Sequence, residues 1–198
     1  MAKGNQEIEI KLRVKDAASA RRMLREAGFR VRKRRVFEAN RVYDTAALSL
    51  RTAKQLLRLR TVGARSVLTF KGAPLPGKHK RREEWELTVS DGAAMEAILT
   101  RLGFELTFRY EKYRTEFSRD GEAGVVTVDE TPIGTFLELE GPADWIDRTA
   151  GELGFRAADY ITLSYGSLYL EYCQVQGVAP SHMVFPAAAG PGRGPRRG

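Results

Sequence analysis

Three short segments of the chain carry two carboxylates on alternate residues. The pairs are Glu7 and Glu9, Glu84 and Glu86, and Glu138 and Glu140. On a strand, alternate residues share one face and lie about 7 Å apart, so each pair would place two negative charges side by side. Such pairs repel unless cations lie among them, and Mg²⁺ or Mn²⁺ prefers oxygen ligands. The pairs therefore predict a divalent-metal site, and Asp129 is a further candidate for the same charged face.

The same predicted strand faces carry basic side chains. They are Lys11, Arg58, Arg60, Lys71, Arg82, Lys112 and Arg114. Arginine offers bidentate contacts to phosphate oxygens and lysine offers a point charge, so this set suits a ligand with several anionic oxygens, such as a triphosphate. Zinc is disfavoured, because Cys173 and the two histidines, His79 and His182, occupy unrelated positions.

The alternative interpretation of these charged residues is structural. On any one strand, alternating charged and apolar residues are typical of an antiparallel sheet whose polar face meets water. Exposed faces usually mix Thr, Ser, Lys and Gln, whereas here carboxylate pairs recur on three separate segments. The recurrence favours an enclosed site over a surface network of ion pairs.

Each carboxylate pair precedes a segment with the apolar spacing of a helix and a closing Gly-Phe step. The steps are Gly28-Phe29, Gly103-Phe104 and Gly154-Phe155. Asp16 and Asp91 are suited to N-cap the first two helices, and Pro142 suits the first turn of the third. A glycine just after a helix accepts the left-handed conformation that ends it. The three units therefore form an internal repeat of strand, helix and glycine.

Between the helices the chain alternates apolar and polar residues with a period of two, which predicts strands. Eight strands are expected, the longer ones bent or broken. They lie near residues 6–14, 30–44, 56–62, 65–72, 81–89, 104–118, 123–131 and 134–140. A last helix or mixed segment is expected over Tyr160–Tyr172, with Leu163, Leu168 and Tyr172 as packing residues.

The composition limits the classes of protein to which the chain can belong. The 198 residues include 33 basic and 25 acidic side chains, a formal charge of +8 that favours anionic partners. The single cysteine excludes an intramolecular disulfide, and no apolar run suits a signal peptide or a membrane span, so the cytoplasm is the expected location. Residues 1–176 are expected to form one domain. Residues 177–198, of which nine are Gly or Pro, are expected to form a flexible tail.

The chain has no glycine-rich loop with the spacing of a P-loop. The nearest segment, Lys71–Gly77, is interpreted as a hairpin connection. The basic run that follows, Lys78–Arg82, is interpreted as a solvated loop, and a lid over bound phosphates is the alternative. The strand faces remain the predicted phosphate site.

The motif Glu7-x-Glu9-x-Lys11 on a first strand resembles the motif that names the CYTH, or triphosphate tunnel metalloenzyme, family. Residues 6 to about 172 are similar to this family in an ordered set of segments: Leu57-Arg58-Leu59-Arg60, Thr69-Phe70-Lys71-Gly72, Arg82-x-Glu84-x-Glu86, Lys112-x-Arg114, Val128-Asp129, Gly134 to Glu140 and Ser164 to Leu168. The resemblance implies an α+β fold: an eight-stranded antiparallel β-barrel, the triphosphate tunnel, with helices packed outside. It also implies a Mg²⁺- or Mn²⁺-dependent enzyme whose partner is a small molecule bearing a triphosphate.

The resemblance also assigns roles to the charged residues. The carboxylates that would hold the metal are Glu7, Glu9, Glu138 and Glu140, with Glu84 or Glu86 and Asp129 near a second metal. The side chains that would bind the triphosphate are Arg58, Arg60, Lys71, Arg82, Lys112 and Arg114. Lys11 would contact phosphate or orient the attacking group, so Lys11 and Glu9 are the expected catalytic residues.

Three functions fit this pattern. The first is metal-dependent hydrolysis of inorganic, thiamine or nucleoside triphosphate. The second, also implied by the resemblance, is class IV adenylate cyclase activity, in which the ribose 3′-hydroxyl of ATP attacks the α-phosphorus and pyrophosphate leaves. The third is non-catalytic binding of polyphosphate or RNA, which the carboxylate pairs disfavour because they would repel such a ligand. Membrane and nucleic-acid partners are not expected, and the oligomeric state is left open between monomer and homodimer.

Overall fold

Eight strands close into one antiparallel barrel in the computed structural model, which describes residues 5–186. Their bounds are β1 Asn5–Val14, β2 Arg30–Thr45, β3 Leu56–Val62, β4 Arg65–Lys71, β5 Lys80–Val89, β6 Phe104–Ser118, β7 Val125–Thr131 and β8 Gly134–Glu140. Around the barrel the order is β1-β5-β4-β3-β2-β6-β7-β8. The predicted α+β barrel is confirmed, and each predicted strand agrees with the observed one to within two residues at either end.

Helices lie between and after these strands. They are α1 Ala17–Glu26, α2 Ser49–Thr52, α3 Gly92–Arg101, α4 Ala143–Glu152 and α5 Tyr165–Gln176, with a 3-10 turn at Ala157–Asp159. The helices α1, α3 and α4 follow the three strands that carry the carboxylate pairs, which confirms the repeat; the short α2 was not predicted. None of the helices in this part of the chain has the length and hydropathy needed to cross a bilayer.

The helix ends follow the predicted chemistry with one exception. Asp16 and Asp91 N-cap α1 and α3, each accepting a hydrogen bond from the backbone N–H three residues ahead. The glycines after the three repeat helices have positive φ: +84° at Gly28, +87° at Gly103 and +84° at Gly154. Pro142 was expected in the first turn of the third helix. It is instead the N-cap, one residue before α4 begins, because its ψ of 143° is extended and not helical.

The apolar faces of the strands point outward, toward the helices. One core cluster joins Ile10 and Leu12 of β1, Val128 of β7 and Leu139 of β8 to Leu24 of α1 and Ile146 of α4. A second cluster places Leu57 and Leu59 of β3 against Leu99 of α3. Burial of this outer interface supplies the hydrophobic stabilisation, so the charged strand faces are free to line the interior of the barrel.

The strands β2 and β6 are the longest and pair along most of their length, from Arg30 opposite Ser118 to Thr45 opposite Phe104. Three register shifts interrupt this pairing, which agrees with the expectation that the long strands are bent. On its other side β2 pairs with β3 only over residues 39–43. Within the described chain, the first part of β2 therefore extends beyond the β3–β4 hairpin.

The burial of residues in the last helix, α5, agrees only in part with the prediction. Leu168 is buried as predicted, whereas Leu163 and Tyr172 are 38% and 40% exposed; Tyr165 and Cys173 are the other buried residues of α5. Leu163 precedes the helix and lies at an opening of the barrel.

Residues 180–186, which the sequence placed in the flexible tail, lie along β6, and we call this segment the strap. The N–H of Met183 donates to the carbonyl of Arg109, and the N–H of Glu111 donates to the carbonyl of Met183, both at 2.9 Å. Met183 is buried. The strap continues the sheet beside β6 beyond the last β6–β7 pair. Residues 187–198 of the predicted tail lie outside the described residues.

Met183→Ala is expected to lower the free energy of unfolding by about 2–5 kcal/mol, because it opens a cavity in the cluster under α5. Urea unfolding measures the change. Val178→Ala is the control, because Val178 is more than half exposed and should alter stability by less than about 0.5 kcal/mol. Equal, small effects of both substitutions would show that the strap is not part of the cooperatively folded unit.

Candidate active site

The charged strand faces meet inside the barrel, in a cavity of about 1240 Å³ that we call the lumen. The basic side chains that line it include Lys11, Arg58, Arg60, Lys71, Lys80, Arg82, Lys112 and Arg114, and the acidic ones include Glu7, Glu9, Glu38, Glu84, Glu86, Glu138 and Glu140. Of the predicted site residues, Asp129 alone does not line the lumen; it is fully buried in the wall. The structure thus brings the predicted residues together in one enclosed space.

The lumen runs the length of the barrel. It contacts residues at both ends of β3, Leu56 and Val62, and at both ends of β4, Arg65 and Lys71. The opening beside the β3–β4 hairpin, called the hairpin mouth, is lined by Arg32, Lys33 and Arg65. The opposite opening, called the helix mouth, is lined by residues of α2, α5 and the strap. A linear ligand could therefore reach both ends of the barrel.

Glu9 lies between two lysines inside the lumen. Its carboxylate accepts hydrogen bonds from Lys11 Nζ at 3.3 Å and Lys80 Nζ at 2.9 Å. Burial raises the pKa of Glu9, but these ammonium groups outweigh it and hold the pKa well below the ordinary carboxyl value. Desolvation lowers the pKa of Lys80 to about 8, with Lys11 and Arg82 adding to the effect. The pKa values of the two partners shift differently because Glu9 faces several cations, chiefly Lys11 and Lys80, whereas Lys80 faces the single carboxylate of Glu9 and the cations Lys11 and Arg82.

Asp129 positions the basic residues of β6. It accepts hydrogen bonds from Lys112 Nζ at 2.8 Å, from Arg114 at 2.6 and 2.7 Å, and from the Tyr165 hydroxyl at 2.8 Å. Arg114 also pairs with Glu138. Because three donors occupy its oxygens, Asp129 serves in the structure as the counter-charge of Lys112 and Arg114. Its role as a ligand of a second metal stays a prediction.

Carboxylates outnumber cations at one side of the lumen. Gln6, Glu7, Glu84, Glu86 and Glu140 line an adjoining cavity of about 250 Å³. Glu7 pairs with Lys71 and Arg82, whereas Glu140 forms no ion pair within residues 5–186. Although Glu140 is partly exposed to solvent, desolvation of its carboxyl group and the nearby Glu7 and Glu9 raise its pKa to about 7. An additional cation would be stabilised here.

The donor set at this side of the lumen fits a hard divalent cation. Glu7, Glu9, Glu138 and Glu140 come from the paired strands β1 and β8, with Glu9 directly opposite Glu140. Carboxylate oxygens are the ligands that Mg²⁺ and Mn²⁺ prefer. In the described part of the chain, no three His, Cys, Asp or Glu side chains are close enough to form a ready-made metal cluster. The intervening Lys and Arg side chains would share the carboxylates with a cation.

Lys80 was missed by the sequence interpretation. It falls within the Lys78–Arg82 run that was interpreted as a solvated loop, but it is the first residue of β5 and its side chain is buried against Glu9. Lys78 is the more exposed lysine: half of its side chain is accessible, and it pairs with Asp147 at 3.0 Å. The signal for Lys80 was its even spacing from Arg82, Glu84 and Glu86, which places all four on one strand face.

Glu38 was also missed. It is buried on β2, and although burial raises its pKa, Lys112 and Arg114 lower the pKa to about 2. The sequence evidence that Glu38 faces inward was weak, because the basic run Arg30–Arg35 breaks the alternation that marks the inner face of the other strands. Two register shifts lie in this stretch of β2, so the alternation of inward and outward side chains is not maintained from its start to Glu38.

The family model of the CYTH domain matches residues 5–152, well over half of the chain. The chain belongs to the CYTH family. The match begins at β1, with Glu7 and Glu9, and ends with α4, so it includes the eight strands that form the lumen of this CYTH protein. The triphosphate-tunnel resemblance seen in the sequence is thereby confirmed.

Proteins similar to this CYTH protein include two whose names refer to an adenylate cyclase. A Methanocaldococcus jannaschii protein, provisionally named an adenylate cyclase, is 30% identical over 135 residues, which cover 68% of this chain and 75% of the relative. The structure of the Pyrococcus horikoshii protein PH1819 is 25% identical, with a TM-score of 0.71 over 84% of this chain and 99% of that one. A Hippeastrum protein, provisionally called an adenylyl cyclase and described as having a dominant triphosphatase activity, shares the fold at 18% identity, with a TM-score of 0.61 over 88% and 97%.

Proposed function

We propose that this CYTH protein is a divalent-metal-dependent enzyme that hydrolyses a triphosphate bound in the lumen. One observation carries the proposal: many Lys and Arg side chains and the paired carboxylates of β1 and β8 line the same cavity. The cations match the charge of a triphosphate, and the carboxylates match that of a divalent metal. The activity described for the Hippeastrum relative supports this assignment.

The basic residues would bind the phosphates in fixed orientations. Arg58 donates to the Tyr110 hydroxyl at 3.2 Å and to Thr69 Oγ1 at 3.1 Å. Its buried Nε–H has no acceptor within residues 5–186, so a phosphate oxygen would satisfy it. On β6, two strands away around the barrel, Lys112 and Arg114 are held in place by Asp129. Preorganised cations of this kind stabilise the charge that develops on a transferring phosphoryl group.

Lys11 would act as a fixed positive charge in this mechanism. Its Nζ lies 3.3 Å from Glu9 and 3.0 Å from Glu138. Burial lowers the pKa of Lys11, but Glu138 and Glu9 outweigh it and raise the pKa above the ordinary lysine value. Lys11 therefore stays protonated at neutral pH, which suits electrostatic stabilisation of the transition state and not general-base catalysis.

Glu7, Glu9, Glu138 and Glu140 would hold the metal. When bound, a divalent cation supplies Lewis-acid stabilisation of phosphate charge. The side chains of the barrel contribute enclosure, since Glu7, Glu9 and Lys11 are all buried. Enclosure strengthens each charge interaction by lowering the local dielectric constant.

Removal of divalent metal is expected to lower phosphate release from tripolyphosphate by at least about 10²-fold, since the carboxylates would then face the substrate without a counter-charge. The assay compares purified protein with Mg²⁺, with Mn²⁺ and with EDTA, using tripolyphosphate, thiamine triphosphate and ATP in parallel. Turnover that survives EDTA would contradict the metal requirement. Tight polyphosphate binding with no turnover under any metal would favour a binding module instead.

A second candidate function, adenylate cyclase activity, is favoured by the helix mouth. Leu48, Leu163 and Leu170 line it with 38% of each residue exposed, next to Phe108 and Tyr169, whose rings lie 5.7 Å apart. An apolar and aromatic rim beside a charged lumen suits a substrate that joins an organic group, such as adenine, to a triphosphate. Formation of cAMP and pyrophosphate from ATP would support this candidate. Formation of ADP and phosphate alone would support hydrolysis.

A further inference from the structure

Four side chains form a hydrogen-bonded cluster outside the barrel wall, between the start of β5 and helix α4. Asp147 Oδ1 lies 2.9 Å from His79 Nε2, 3.0 Å from Lys78 Nζ and 3.0 Å from the Tyr160 hydroxyl. We call these four residues the clasp. All of them lie in the described part of the chain, and none of them lines the lumen. The clasp is therefore separate from the charged residues that would bind the triphosphate.

His79 is well enclosed within the clasp: 11% of its side chain is exposed, against 37% for Asp147. Burial raises the pKa of Asp147, but hydrogen bonds from Lys78, His79 and Tyr160 outweigh it and hold the pKa below the ordinary carboxyl value. The carboxylate is therefore ionised at neutral pH and can only accept hydrogen bonds, so His79 Nε2 donates to it. A charged acceptor strengthens this hydrogen bond and fixes its geometry.

His79 directly precedes Lys80, the first residue of β5, whose Nζ donates to Glu9 at 2.9 Å inside the lumen. Regular pairing of β5 with β4 ends at Glu84, so among the described strands the regular neighbour of β5 at Lys80 is β1. Successive side chains of a strand point to opposite faces, so His79 reaches α4 while Lys80 reaches the lumen. The hydrogen bond from His79 to Asp147 therefore fixes the strand end from which Lys80 enters the lumen.

The clasp is also connected to the second lysine beside Glu9. Tyr160 directly precedes Ile161, whose backbone exchanges two hydrogen bonds with the backbone of Lys11, at 2.8 and 2.9 Å. Lys11 Nζ lies 3.3 Å from Glu9. A single peptide step thus joins the clasp on one side to Lys80 and on the other side to the residue that pairs with Lys11.

We infer that His79 and Asp147 are positioning residues, which hold Lys80 against Glu9 from outside the barrel. The inference rests on the proposed function, because Lys80 and Glu9 are among the charges that would act on the triphosphate. Neither His79 nor Asp147 would contact substrate or metal. Misplacement of an active-site group by about 1 Å can lower turnover by about 10²-fold. If the clasp instead only attached α4 to the barrel wall, it would affect stability and neither binding nor turnover.

His79→Ala and Asp147→Ala are each expected to lower kcat/KM for tripolyphosphate by about 10-fold or more. His79→Gln should recover most of this loss, because the amide Nε2 of glutamine can still donate to Asp147. Glu152→Ala is the matched control: Glu152 also lies on α4, has 38% of its side chain exposed and pairs with Arg119, so kcat/KM should change by less than about 2-fold. Unchanged kcat/KM in His79→Ala and Asp147→Ala, or an equal loss in Glu152→Ala, would overturn the inference.

A double-mutant cycle with Lys80 separates positioning from general destabilisation. If His79 acts through Lys80, His79→Ala should change kcat/KM by less than about 2-fold once Lys80→Met has removed the ammonium group. All variants are assayed well below their unfolding midpoints. Equal losses on removing His79 in both backgrounds would show that His79 supports the barrel as a whole, and would contradict the inference.

Binding and structure keep this test independent of the proposed hydrolysis. If the wild type releases no phosphate, the proposed hydrolysis fails, and calorimetric Kd values for tripolyphosphate across the same variants decide about the clasp. A crystal structure of ligand-free His79→Ala should show Lys80 Nζ displaced from Glu9. Lys80 Nζ still 2.9 Å from Glu9 in that variant would overturn the inference, whatever the catalytic activity.

Discussion

Glu9→Gln is expected to lower kcat/KM for tripolyphosphate by about 10²–10³-fold. The substitution keeps the size of the side chain but removes the charge that lies between Lys11 and Lys80. It also removes one of the four carboxylates proposed to hold the metal. Lys11 keeps its partner Glu138 at 3.0 Å, so the barrel should remain folded. The loss would then reflect chemistry and metal binding.

Two measurements establish that interpretation of Glu9→Gln. Circular dichroism should show the wild-type fold, and calorimetric titration with Mn²⁺ should show weaker binding than in the wild type. Glu26→Gln is the matched control, because Glu26 is exposed on α1 and forms no ion pair among the described residues. A folded Glu9→Gln protein with near wild-type turnover and metal affinity would refute the assignment of Glu9 to both roles.

Strand parity made the lumen predictable from the sequence. In Glu7-Ile8-Glu9-Ile10-Lys11 the charged and apolar residues alternate without a break, so the two faces of β1 are fixed by the period of two. Leu57-Arg58-Leu59-Arg60 follows the same rule, and both segments place their apolar residues in the outer core. The helix ends were predictable for a similar reason, because aspartate caps and terminal glycines act locally.

Features that depend on the three-dimensional neighbourhood could not be predicted in this way. Asp129 was assigned as a metal ligand from the family resemblance, but its three hydrogen-bond donors come from the neighbouring strand β6 and from α5, which the fold brings to it. The strap was missed because the Gly and Pro content of residues 177–198 was averaged over the segment. Met183 and Phe185 are apolar residues within that segment, and two backbone hydrogen bonds suffice to place Met183 against β6.

Asp129→Ala is expected to lower the free energy of unfolding by about 3–5 kcal/mol. Asp129 is fully buried, and its removal leaves Lys112 and the buried end of Arg114 without their main counter-charge. Breaking a buried pair in this way costs more than the pair contributes, because the remaining charges stay desolvated. Asp120→Ala is the control: the side chain of Asp120 is 92% exposed and lies 3.6 Å from Arg30, so the unfolding midpoint should not change.

Ligand binding should reveal why Asp129 is placed there. Tripolyphosphate supplies negative charge to the lumen, so it should offset part of the stability lost in Asp129→Ala, by the usual linkage between binding and folding. The increase in the unfolding midpoint on adding tripolyphosphate is therefore expected to be at least as large in Asp129→Ala as in the wild type. A variant that is destabilised but gains nothing from tripolyphosphate would show that Lys112 and Arg114 do not contact the substrate. In that case Asp129 would serve the barrel wall alone, and the triphosphate site would have to lie nearer Arg58 of β3 and Lys71 of β4.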